Sequence, residues 1–311
     1  MTTAVLPACR SRIPAPRASW ARPWLAPGYW VLAGLVAVAI LGFGTGPFDY
    51  AGGTLDLIWL GLALILLVGA GARRLGWNMI GNFLELFALF TALSLAGSLA
   101  SAVLAGAGHP LVDPALTRID TWLGFSWSAA IAWLAARPPA LAGFSAVYAS
   151  LSVQPVVLLG ITCVTGRGGL AARFVTAWAV ALATTLAISP FTPAVGNFIA
   201  RGIRPAAMPG VTVPTIWNFM AVFGPIRDGT LTRLGFGELT GLITFPSFHA
   251  AGAVLLGWGF WSIRRLRWPM AALNGAMLAA TVFVGGHYLV DVAAGALIAI
   301  LGIVVARYWH R

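Results

Sequence analysis

Lysine is absent from this 311-residue chain, and all 19 of its basic residues are arginine. Charge of either sign is scarce, at 9% of residues against 59% apolar, which excludes an ordinary soluble domain. Cysteine is limited to Cys9 and Cys163, and their separation fits neither a metal cluster nor a disulfide framework. Histidine occurs four times, so each one asks for a reason. The formal charge of +11 comes from short arginine clusters between apolar runs. That distribution sets membrane topology and argues against a nucleic-acid partner.

What the chain has in quantity is long apolar segments. Windows at about 29–48, 55–72, 79–105, 140–164, 170–189, 248–263, 268–284 and 288–308 predict an all-α, polytopic transmembrane helical bundle of about eight spans. Residues 1–28 carry Arg10, Arg12, Arg17 and Arg22 and read as a basic cytoplasmic N-terminal tail before an uncleaved first helix. Residues 29–311 then form a single transmembrane domain. The Trp-rich stretch Thr121–Ala136 is too short to cross easily and is predicted to be interfacial or re-entrant. With the N-terminus inside, the inner segments hold 13 arginines and the outer ones the other six together with most of the carboxylates. This asymmetry predicts both termini in the cytoplasm. Glu85 lies inside the third span and should reach an interface or a polar neighbour. Gly97, Ser101 and Ala105, at four-residue spacing, should mark a tight helix contact.

Two short stretches carry chemistry. In "GGHYLVDVAAG", His287 and Asp291 are four residues apart on one helical face, so the carboxylate can hold one ring nitrogen and leave the other its lone pair. In "TFPSFHAAG", Pro246 and Ser247 open a helix whose first turn contains His249. A helix N-terminus with free N–H groups is an anion site, so Ser247 is a candidate phosphate-binding hydroxyl. The loop topology brings His249 and His287 to the same membrane face, although 38 residues separate them. Two histidines and one aspartate are a poor metal set without a further ligand at metal-site spacing. Phosphoryl chemistry also needs cations, and the outer connection supplies Arg201, Arg204, Arg227 and Arg233, with Arg227 the first choice.

The pair "PSFHAA" and "GGHYLVDVAAG" resembles the second and third signature motifs, P-S-x-H and H-x-x-x-D, of the type 2 phosphatidic acid phosphatase superfamily. The surroundings are similar to the branch of inositol phosphorylceramide synthases and their bacterial relatives. The resemblance implies a six-helix phosphatase-like core and a catalytic region at about 113–307. It further implies His287 as a nucleophile that becomes phosphohistidine, Asp291 as its orienting partner, His249 as acid and base, and no metal or other cofactor. Two departures stand out. The first superfamily motif begins with Lys and ends in Arg-Pro, of which this chain offers Arg204 and Pro205 only. The Arg usual six residues before the third-motif histidine is Thr281. The missing cations turn attention to Arg204 and Arg227 as phosphate ligands.

The sequence thus points to a metal-independent phosphatase or phosphotransferase acting on a lipid phosphate drawn from the bilayer. The setting it suggests is a bacterial inner membrane, with the site facing the periplasm. The alternative is a transporter or channel that uses His249, His287 and Asp291 as a proton or ion relay. A third reading is an inactive scaffold that keeps these residues for packing.

Overall fold

The computed structural model describes residues 27–311 apart from 205–206, 209–210 and 212–213, with the backbone alone for 214–216. The basic tail through residue 26, with Cys9, and Pro205 lie outside the described residues.

The described chain is a helical bundle, as its apolar runs demand. In the absence of water inside a bilayer, backbone polar groups must be satisfied within each segment, and helices do this. The helices are α1 (Pro27–Thr45), α2 (Thr54–Arg74), α3 (Asn78–Ala105), α4 (Asp113–Trp122), α5 (Trp127–Ala135), α6 (Pro138–Ala149), α7 (Gln154–Val164) and α8 (Gly168–Ile188), followed by α9 (Gly196–Ala200), α10 (Pro214–Arg227), α11 (Phe248–Trp261), α12 (Arg267–Phe283) and α13 (Leu289–Trp309). Two short parallel strands, β1 (Asp49–Tyr50) and β2 (Arg233–Leu234), tie the loop after α1 to the connection that follows α10. Five helices are long and apolar enough to cross a membrane by length and composition: α1, α2, α3, α8 with its continuation, and α13.

The remaining expected spans are shorter or broken. The segment predicted over 140–164 is interrupted by a 3-10 turn at Ser150–Ser152, and α7 restarts with Pro155 in its first turn. Proline lacks the N–H a helix interior needs but costs nothing in a first turn. Helices α11 and α12 have 14 and 17 residues. The stretch Thr121–Ala136, predicted as interfacial or re-entrant, begins at the end of α4, turns at Gly124 with φ +75°, and continues as α5. Helix α5 then meets the following helical segment at a bend of 113°. Pro138 and Pro139 start that segment where α5 stops.

Helix α3 lies between α2, α1 and α8, while α13 packs on α8 and α11. Their shared core holds Leu89, Leu93, Phe174, Trp178, Leu255, Leu256 and Phe260. Glycines allow the closest approaches, since a Cβ at Gly302 would sit 2.5 Å from the Ala177 carbonyl oxygen. Gly97 packs on Leu182, and Ser101 Oγ accepts the Leu242 N–H at 3.3 Å, so the small residues of α3 make close contacts with α8 and with the loop before α11.

Glu85 is buried and ion-paired with Arg73, and it accepts the Tyr29 hydroxyl at 2.8 Å. This triad locks α1, α2 and α3 together at one end of the bundle. At the same end Arg173 of α8 donates to the His310 carbonyl at 3.0 Å, beyond the last turn of α13. Removing Glu85 leaves the partly exposed Arg73 guanidinium and the Tyr29 hydroxyl without their acceptor. Glu85→Ala should therefore cost about 2 kcal/mol, read as a lower thermal unfolding midpoint of the detergent-solubilised protein.

Candidate active site

The opposite end of the bundle holds the candidate site residues. After α12, the chain turns at Gly286 with φ +69°, a conformation that favours glycine, and delivers His287 just before α13 begins. Asp291, in the first turn of α13, accepts the Tyr288 N–H at 2.9 Å and faces His287 Nδ1 at 3.3 Å with the same oxygen, Oδ2. It therefore caps its own helix and orients the imidazole at once. A carboxylate only accepts, so Nδ1 carries the hydrogen and Nε2 keeps its lone pair. The His287 N–H in turn donates to the Thr281 carbonyl at 3.2 Å. Thr281, which stands where the superfamily motif usually has Arg, thus supports the histidine through its backbone.

Helix α11 starts alongside. Ser247 is its N-cap, with Oγ accepting the Ala250 N–H at 3.2 Å, and its own N–H donates to the Asp291 carbonyl at 3.1 Å. Two turns that are far apart in sequence are thereby joined by one backbone bond. His249 projects from the first turn of α11, and its Nε2 lies 3.2 Å from the Tyr148 carbonyl. That oxygen can only accept, so Nε2 carries the hydrogen. The His249 ring is stacked on the Tyr148 ring, with centroids 3.8 Å apart and planes 4° from parallel.

His249 and His287 line one cavity of about 340 Å3. Its opposite wall is α3, through Ser94, Gly97, Ser98 and Ser101, with Thr240 and Thr244 of the loop before α11. Phe219 and Met220 of α10 also line it. The structure therefore brings together His249, His287, Asp291 and Ser247, although Ser247 is fully buried and is not part of the cavity wall. It does not bring Arg227 or Arg204 to that wall. Arg227 Nη2 donates to the His109 carbonyl at 2.6 Å, and the guanidinium lies over Phe223. Arg204 is exposed. Among the described residues, no group of three or more His, Cys, Asp or Glu is arranged to hold a metal ion.

Three polar residues that support the site were not singled out from the sequence. Asp113 accepts the Val195 and Gly196 N–H groups at 3.0 and 2.9 Å and the Tyr288 hydroxyl at 3.0 Å. Asp120 accepts the Leu289 N–H at 3.0 Å. Burial pushes the Asp120 carboxyl up to about 6; the Leu289 N–H and Arg201 oppose this, while the Asp291 charge adds to it. Asn197 Nδ2 donates to the Gly286 and His287 carbonyls, each at 3.3 Å. The available signal was spacing. Asp113 and Asp120 lie seven residues apart, on one face of a short helix, in a chain with eight carboxylates.

Fold and site together define an all-α bundle of membrane-spanning character with two histidines, one of them tied to an aspartate, on a shared cavity. The match to known families falls on the same region. Residues 114–305 fit the model of the PAP2 superfamily, and the chain belongs to that superfamily. Membership indicates a phosphatase-type enzyme. No curated protein and no solved structure matches the chain.

Proposed function

We propose that the protein is a lipid phosphate phosphatase or phosphotransferase that works through a phosphohistidine on His287, with its site at the outer membrane face. The observation that carries this reading is the pairing of His287 with Asp291 beside His249 on one cavity. Nε2 of His287 attacks phosphorus in line, and the P–O bond to the lipid alcohol breaks. Protonated His249 gives its Nδ1 hydrogen to the departing oxygen. Water or a second alcohol then loses its proton to His249 and attacks phosphorus. The P–N bond breaks, and the electron pair returns to His287. Asp291 stabilises the positive charge on the ring between the two steps.

The N-terminus of α11, shaped by the Ser247 cap, offers N–H groups to the phosphoryl oxygens. The phosphoryl group in this proposal relies on those N–H groups, because neither Arg204 nor Arg227 lines the cavity. A role in the manner of the inositol phosphorylceramide synthases, with an alcohol as acceptor, belongs to the same reading. So do a bacterial inner membrane and a periplasmic site. Arg73, Arg173 and Arg307 gather at the end of the bundle away from the cavity, which supports a cytoplasmic assignment for that end.

The reading is tested with purified protein and phosphate-labelled phosphatidic acid, polyprenyl diphosphate and phosphatidylinositol. Alkaline quenching should retain a base-stable, acid-labile label on the protein. Absence of label and of phosphate release or transfer with all three lipids would sink the proposal, and ion flux through liposomes without any release would favour a relay. His249→Ala should slow the lipid reaction by about 10²-fold or more. A nitrophenyl phosphate should suffer much less, because its leaving oxygen needs no proton. Equal losses on both substrates would remove His249 from the acid role.

A further inference from the structure

We propose that Asp113 and Asp120, neither of which reaches the cavity, are positioning residues that fix the direction of the His287 imidazole. The inference rests on His287 being the nucleophile. His287 lies outside the helical ladder of α13, directly after a glycine in the left-handed region, so its direction must be imposed by neighbours. The first N–H groups of a helix have no partner of their own. Here the Tyr288 and Leu289 N–H groups go to Asp291 and Asp120. The Tyr288 hydroxyl goes to Asp113, whose oxygens also hold the Val195 and Gly196 N–H groups. Gly196 and Asn197 lie against Gly286, and the Asn197 N–H donates to its carbonyl at 2.7 Å.

The backbone on both sides of His287 is thus clamped from α4, directly by Asp120 and through Tyr288 and α9 by Asp113. Both carboxylates are buried, at 5% and 4% exposure. Burying charge is costly, and a neutral Ser or Asn would serve an ordinary cap. What a carboxylate adds is acceptor capacity. Asp113 takes three donors, including one side-chain hydroxyl, which a single amide oxygen with two lone pairs cannot match.

The test uses the full-length protein in detergent, with phosphatidic acid as substrate and quench labelling as a second readout. Tyr288→Phe removes one hydroxyl and keeps the ring. Asp120→Ala removes the Leu289 acceptor, and Asp120→Asn restores it. Tyr288→Phe and Asp120→Ala should each lower kcat and the labelling rate about tenfold, with KM changed by less than about twofold and the unfolding midpoint nearly unchanged. Asp120→Asn should recover most of the rate. Normal kcat in folded Tyr288→Phe and Asp120→Ala would overturn the inference. So would a loss of kcat that tracks the unfolding midpoint and that Asp120→Asn does not repair. Wild-type protein that forms no label, or a His287→Ala variant with full turnover, would bring down the phosphohistidine reading instead.

Discussion

His287→Ala should abolish phosphoenzyme formation and lower lipid turnover by about 10⁴-fold or more, with thermal stability close to wild type. The size follows from the role. Without Nε2 there is no covalent route, and the cavity can only bind substrate and orient water. The fold should tolerate the change because the turn is held by bonds that do not involve the ring. The His287 N–H stays on Thr281, its carbonyl stays on Asn197, and Tyr288 stays on Asp291. Asp291 would lose its contact with Nδ1 but keep the Tyr288 N–H. The check is a pair of measurements on one preparation, quench labelling and steady-state phosphate release. A folded variant that keeps its label would refute the assignment.

Gly295→Ala should be nearly as damaging, although it carries no reactive group. A Cβ there would sit 2.1 Å from the Ser247 carbonyl oxygen and 3.1 Å from the Ala250 Cβ. Both contacts are with the first turn of α11, and the carbonyl is backbone, so relief requires the two helices to separate. Overpacking of this kind costs about 1–3 kcal/mol. The larger effect is on geometry: α11 carries His249 and α13 is the helix that His287 leads into, and a displacement of about 1 Å between reacting groups can cost about 10²-fold in rate. Thermal unfolding and kcat measured together would show a large loss of rate with a modest loss of stability. Gly275→Ala on α12, where an added Cβ meets nothing within 4 Å, is the matched control and should be silent. Equal behaviour of the two variants would mean that the α11–α13 approach does not govern the chemistry.

The parts of the site that were legible in the sequence are those fixed by local periodicity. His287 and Asp291 fall together because four residues make one helical turn, and Ser247 caps α11 because a hydroxyl before an apolar helix has nowhere better to bond. The long spans could be read from length alone. The rest depends on contacts between distant segments. Asp113 and Asp120 meet Tyr288 and Leu289 across 175 and 169 residues, and nothing in their own neighbourhood announces it. Arg227 is close to Ser247 only along the chain. Its place is instead set by Val222, Phe223 and Ile226, which anchor α10 on Phe48, Ala102 and Ala105. The break before α7 was hidden because a proline in an apolar run reads alike whether it kinks a helix or begins one.

In the proposed reaction the contact between His249 and Tyr148 would govern the order of events. The ring is clasped on its face by the phenol and on its edge by a backbone oxygen, so it cannot turn over without losing both. In the proposed reaction a proton enters and leaves by the same nitrogen. The departing alcohol and the incoming acceptor must then occupy the same place in succession. The enzyme would work as a revolving door with one opening, in which the first product leaves before the second substrate can arrive.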